Sequence, residues 1–239
     1  MKDFTKLNAQ NSVDTGVAYD AGLRSFMLKV YNYMGLALLL SAGCAYFASQ
    51  SEAFITAVMG NKLLSLALMF APLAMVFFLS FRVHKMSLQA AQLTFWAYSA
   101  ILGLSLFWIF AVYAQASITK AFFVTAATFG AVSLYGYTTK KDLTGIGHFM
   151  LMGLIGVIIA SLVNIFLKSS ALDFALSIIS VIVFVGLIAY DNQKLKTIYY
   201  AVAGNADLAG KAAIMGALNL YMDFINLFLN ILRIIGDRR

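Results

Sequence analysis

The sequence predicts an all-α integral membrane protein, a bundle of seven transmembrane helices, and three observations predict it. Hydrophobic residues make up 62% of the 239 positions and charged residues only 11%, against roughly 25% charged in an ordinary soluble domain. That leaves too few charges to build a water-facing exterior. Apolar runs of spanning length recur along the whole chain, separated by short charged connections. No ten-residue alternation of apolar and polar positions occurs, so a β-barrel is the wrong solution. Lipid obliges each span to satisfy its own backbone hydrogen bonds, and the spans are therefore helices.

Residues 1–26 are polar and mixed in charge (Lys2, Asp3, Lys6, Asp14, Asp20, Arg24), without a cleavable signal pattern. They read as a cytoplasmic N-terminal tail, and 27–239 as the seven-helix transmembrane domain. Spans are expected at 27–49, 63–81, 89–112, 118–138, 146–167, 173–191 and 213–235, each near the ~20 residues that cross a hydrocarbon core. The connections carry Glu52 and Lys62, then Arg82 to Lys85, Lys120, Lys140-Lys141-Asp142, Lys168, and the polar stretch 191–211. Lysines and arginines set the orientation. The N-terminal flank through Lys29 holds four, and the second, fourth and sixth connections hold two, two and three, whereas Lys62, Lys120 and Lys168 stand alone in theirs. The N-terminus is thus placed in the cytoplasm. Arg233, Arg238 and Arg239 leave the last segment open between a full crossing and a re-entrant turn. Pro72 is expected to kink the second span. The small pairs Ser99/Gly103, Ala126/Gly130 and Gly156/Ala160 are expected to let helices pack closely.

Composition also excludes several chemistries. Cys44 is the only cysteine, so no disulfide framework exists. With His84, His148 and that one cysteine, a zinc site of His and Cys is not expected. The net charge of +7 does not point to nucleic acid, because the basic residues sit at span ends rather than in a patch with interleaved aromatics. No cofactor is expected.

Ionisable groups within the bilayer are costly and mark functional sites. Asp223 is the clearest, about ten residues from either end of the apolar run ALNLYMDFINLFLNILRIIG. Asn219, Asp223, Asn226 and Asn230 follow i, i+4, i+7, i+11, one polar stripe that Arg233 continues. Such a stripe lines a bundle interior or a watered cavity. Asp191, in VFVGLIAYDNQKLK, supplies a second carboxylate near the cytoplasmic end of the sixth span, beside Lys194. Asp173, beside Lys168, reads as a solvated loop residue. Two carboxylates in contact do not easily ionise together and titrate as a unit. Their oxygens suit a hard cation such as Ca²⁺, with asparagine and water completing the shell. Asp191 and Asp223 are therefore the candidate metal ligands, and protons and calcium would compete there. Arg82, ending the second span, is the candidate cation to pair with them.

The segments FFVTAATFGAVSLYGYTTKKDL, LMGLIGVIIASLVNIFL, AYDNQKLK and LYMDFINLFLNILRIIGDRR resemble the Bax inhibitor-1 (transmembrane Bax-inhibitor-motif) family, and within it the bacterial inner-membrane branch. The resemblance covers most of 20–239. It implies a seven-helix bundle with the last helix central and a pH-sensitive calcium leak governed by two aspartates on the sixth and seventh helices, matched here by Asp191 and Asp223. It also implies an arginine at the end of the second helix that pairs with them in the closed form, matched by Arg82.

Two other readings compete. One is a non-transporting regulator that binds a membrane-anchored ATP-dependent protease or another membrane partner. The other is an intramembrane aspartyl protease. The second ranks low, because LYMDF stands where those proteases resemble one another in a GxGD element, and Pro72 is the chain's only proline. Ser105 in a G-x-S context lacks a histidine partner. Enzyme activity is not expected.

Overall fold

The computed structural model describes the backbone of residues 2–238 and the side chains of 21–238 apart from that of residue 84. The side chains of the expected tail up to residue 20 thus lie outside the described residues. The helices are α1 (Lys2–Gln50), α2 (Glu52–Gly60), α3 (Lys62–Arg82), α4 (Leu88–Ser105), α5 (Trp108–Val112), α6 (Gln115–Thr138), α7 (Thr144–Leu167), α8 (Ser170–Val202) and α9 (Ala206–Ile235). Among the described residues, seven helical stretches are long and apolar enough to cross a membrane, with α4 and α5 together forming the third.

Burial sorts the helices by role. In α1 the buried positions Leu23, Phe26, Met27, Val30, Met34, Ala37, Ser41, Ala45 and Ala48 fall on one helical stripe. Among the described residues the packed face reaches back to Leu23, inside the segment read as a tail. The outer extreme is α7, in which Gly147 alone is buried while Phe149, Met152, Ile159, Leu162 and Phe166 are exposed. In water such a face would be an aggregation site; in a bilayer it faces acyl chains. The inner extreme is α9, where 61% of the most apolar stretch is buried. It packs on α8, α1, α6 and α4, so the last helix is central.

At its far end α9 meets the start of α6: Ala114 N–H donates to Asp237 O (3.1 Å), and Asp237 N–H donates to Ser117 Oγ (3.1 Å). Arg233 lies 3.6 Å from Asp173 in the first turn of α8. Both contacts lie at the end of the bundle opposite the α8–α9 turn. The last segment therefore traverses the bundle and is not re-entrant. Asp173 is correspondingly not the free loop residue its neighbour Lys168 suggested, but a partly exposed ion-pair partner.

The polar stretch 191–211 is helical on both sides of a short turn, so the expected long connection does not exist. Its polar groups find partners on neighbouring elements instead of loop water. Gln193 Oε1 accepts from Leu143 N–H (2.8 Å) and its Nε2 donates to Lys141 O (2.7 Å). Lys196 Nζ donates to Tyr137 O (2.6 Å), and Leu195 is buried. Asn205 then caps α9 by accepting from Asp207 and Leu208 N–H, each at 3.1 Å. A second departure is the break between α4 and α5. There Phe107 turns into a small satellite core with Ala48 and Val58, its ring 5.4 Å from that of Phe54.

The small-residue pairs divide. A Cβ on Gly103 would lie 2.5 Å from Ser41 O, a backbone approach of α4 to α1, whereas Gly130 and Gly156 have nothing within 4 Å and face outward. Spacing alone therefore misassigned those two. Among the close approaches it passed over are Gly136 against Ala189 and Gly147 against the Tyr190 ring.

One buried polar node ties three helices beside Asp191. Asn192 is wholly buried. Its Oδ1 accepts from Tyr31 OH (2.5 Å), and its Nδ2 donates to Ser133 Oγ (3.1 Å) and Ile188 O (2.7 Å). Every hydrogen-bonding atom of the amide is thus engaged, joining α1, α6 and α8. Tyr31→Phe leaves the Asn192 carbonyl oxygen without a donor at a cost of about 1–3 kcal/mol. Thermal unfolding in detergent should report a lower midpoint, and an unchanged midpoint would show that water replaces the phenol.

A buried carboxyl pair as candidate functional site

The two aspartates singled out from the sequence come together. Asp191 on α8 and Asp223 on α9 place their carboxyl groups within hydrogen-bonding reach of each other. The extension of α8 to Val202 explains how. Asp191 lies well inside its helix rather than at its end, and α9 begins far enough back to bring Asp223 level with it. Asp223 is 8% exposed, and its Oδ2 has no donor among the described residues. Two carboxylate oxygens are both acceptors, so their contact is satisfied only by a proton or a cation between them. That requirement is the chemistry of the site.

Beside Asp191 opens a cavity of ≈ 300 Å³, walled by α3, α8 and α9, with Asp223 outside its lining. Its polar lining is Ser80, Asp191, Lys194, Lys211 and Asn219. Asn219 thus stands on the approach to the pair. The lower part of the stripe behaves differently. Asn226 Nδ2 donates to Met222 O and Asn230 Nδ2 to Asn226 O, each at 2.8 Å, so both amides fold back on their own helix while remaining half-buried.

Arg82 does not join the carboxylates. It is exposed, forms no ion pair among the described residues, and its guanidinium lies over the Phe78 ring at 5.9 Å from the centroid. Although Ser80 and Val83 line the cavity, Arg82 does not; at the end of α3 its side chain is directed away. The cations at the cavity are Lys194 and Lys211, neither of which was picked out from the sequence as part of the site. Lys194 was legible in principle, being one helical turn beyond Asp191 and on its face. Lys211 was not, because its stretch read as a loop.

Fold and site together define a polytopic helical membrane protein with an acidic pair held against its central helix. The chain belongs to the Bax inhibitor-1 family: the profile of the family described as Inhibitor of apoptosis-promoting Bax1 matches residues 23–239. It is 48% identical to the inner membrane protein YbhL of Escherichia coli over 95% of this chain and 97% of that one. It is 50% identical to protein RP147 of Rickettsia prowazekii over the full length of both. A membrane protein of Streptococcus pyogenes is 38% identical over 91% of this chain and 94% of the relative.

Proposed function

We propose that this protein is a pH-sensitive calcium leak of the bacterial inner membrane, with its N-terminus in the cytoplasm and the Asp191–Asp223 pair as its gate and cation site. The observation that carries the reading is a buried carboxyl pair in which Asp223 Oδ2 has no donor among the described residues and Asp191 lines a cavity. A hard divalent cation prefers carboxylate and amide oxygens, which Asp191, Asp223 and Asn219 supply. Protons compete for the same oxygens. Raising the pH removes the proton the two groups share and strengthens calcium binding; lowering it restores the proton and weakens binding. The name of the Escherichia coli relative supports the location, and the excess of Lys and Arg at the N-terminal end of the bundle supports the orientation.

The test is calcium flux into proteoliposomes between about pH 6 and 8 for the wild type, Asp191→Asn and Asp223→Asn. We expect a pH-dependent flux in the wild type that either substitution flattens or abolishes, since neither asparagine takes up a proton in this range. Flux no greater than in empty liposomes at every pH would overturn the channel reading in favour of a non-transporting regulator that binds a membrane partner.

A further inference from the structure

We infer that Lys194 is the resident counter-cation of the carboxyl pair, the tethered charge that an entering cation must work against. The inference rests on the Asp191–Asp223 pair as a cation site and on no particular rate of conduction. Lys194 and Asp191 line the same cavity and are three residues apart on α8, which puts their side chains on neighbouring turns of one face. No ion pair within 4.0 Å joins them, so the ammonium stands near the carboxyl without occupying its oxygens.

The other charges around the site are committed elsewhere. Lys211, the second cation of the cavity, is 2.7 Å from Asp207 one turn earlier on α9. From α3 the cavity receives Ser80 and Val83, neither of which titrates. Arg82 lies over Phe78. Of the two lysines that line the cavity, Lys194 has no carboxylate in ion-pair contact among the described residues, and its Nζ stands 5.7 Å from the centre of the Tyr190 ring. On its far side it borders a surface cleft with Lys140, Asp142 and Tyr190. In that cleft Asp142, outside the membrane spans, is held below its ordinary carboxylate range by the hydroxyl and backbone N–H of Thr144. Asp142 is thus a carboxylate on the outer side of Lys194, in the cleft that the lysine borders.

A fixed positive charge about one turn from a divalent ion opposes its binding, and removing that charge should strengthen it. The experiment compares the wild type with Lys194→Met and Lys194→Arg in detergent by equilibrium ⁴⁵Ca²⁺ binding at about pH 8. We expect Lys194→Met to bind calcium about 10-fold more tightly than the wild type. Lys194→Arg, which keeps the charge, should keep the wild-type affinity.

A Lys194→Met protein with unchanged calcium affinity would overturn the inference, even if the wild type conducts calcium. Equal effects of Lys194→Met and Lys194→Arg would overturn it too, because packing and not charge would then be at work. If Lys194→Met binds calcium more tightly while no form carries it into proteoliposomes, the leak reading falls and the assignment of Lys194 stands.

Discussion

Gly136→Val should fail to give folded protein, whereas Gly130→Val, less than two turns earlier on the same helix, should be recovered like the wild type. A Cβ on Gly136 would lie 2.3 Å from Ala189 O and 3.0 Å from its carbonyl carbon and Cα. All three are backbone atoms, so no side-chain rotation relieves the clash and α6 must move away from α8. Separating packed helices forfeits dispersion contacts along the seam, and overpacking of this kind costs about 3 kcal/mol or more. The damage also reaches the site, because Ala189 lies two residues before Asp191. Around Gly130 nothing lies within 4 Å, and a valine there adds a lipid-facing side chain. Yield of monodisperse protein in detergent and the unfolding midpoint decide the matter. Comparable yields for the two variants would mean that the α6–α8 seam is looser than it stands here.

Asp223→Asn is expected to make the protein more stable at about pH 8, by about 1–3 kcal/mol. The wild-type contact brings two acceptor groups together, and it is satisfied only while a proton or a cation bridges them. An asparagine amide presents an N–H to the Asp191 carboxylate and removes one buried negative charge without changing the volume of the side chain. The gain should shrink as the pH falls, because protonation then supplies the wild type with the donor it lacks. Unfolding midpoints of both proteins at about pH 8 and pH 5 test this, and an Asp223→Asn protein less stable than the wild type at pH 8 would sink it. The same substitution is expected to flatten the calcium flux. A site that costs stability and disappears when repaired has the character of a functional compromise.

Much of this molecule is written locally. Seven spans could be placed because lipid leaves the backbone no alternative to self-satisfied helices, and because charges cannot stay in hydrocarbon. The same rule singled out Asp191 and Asp223, since a carboxyl in an apolar run carries its cost wherever it ends up. The contact between them was not legible. It depends on α8 continuing to Val202 and α9 starting at Ala206, and that continuation is decided by what Gln193 and Lys196 meet on α6 and the α6–α7 connection and by Leu195 against Gly216 on α9.

Tertiary structure likewise decided which glycines matter. Gly103 and Gly136 meet neighbouring backbone while Gly130 and Gly156 meet nothing, although all four look alike as small residues in helices. It decided the cation as well: Arg82 has the sequence position of a gate residue but lies over Phe78, and Lys194 takes the place beside Asp191. By itself, then, the sequence determined the number of membrane-spanning stretches, their solvent and the residues expensive enough to carry function. Partners that depend on distances between helices are determined only when the helices pack, because a side chain's cost in lipid is a property of the residue and its partner is a property of the fold.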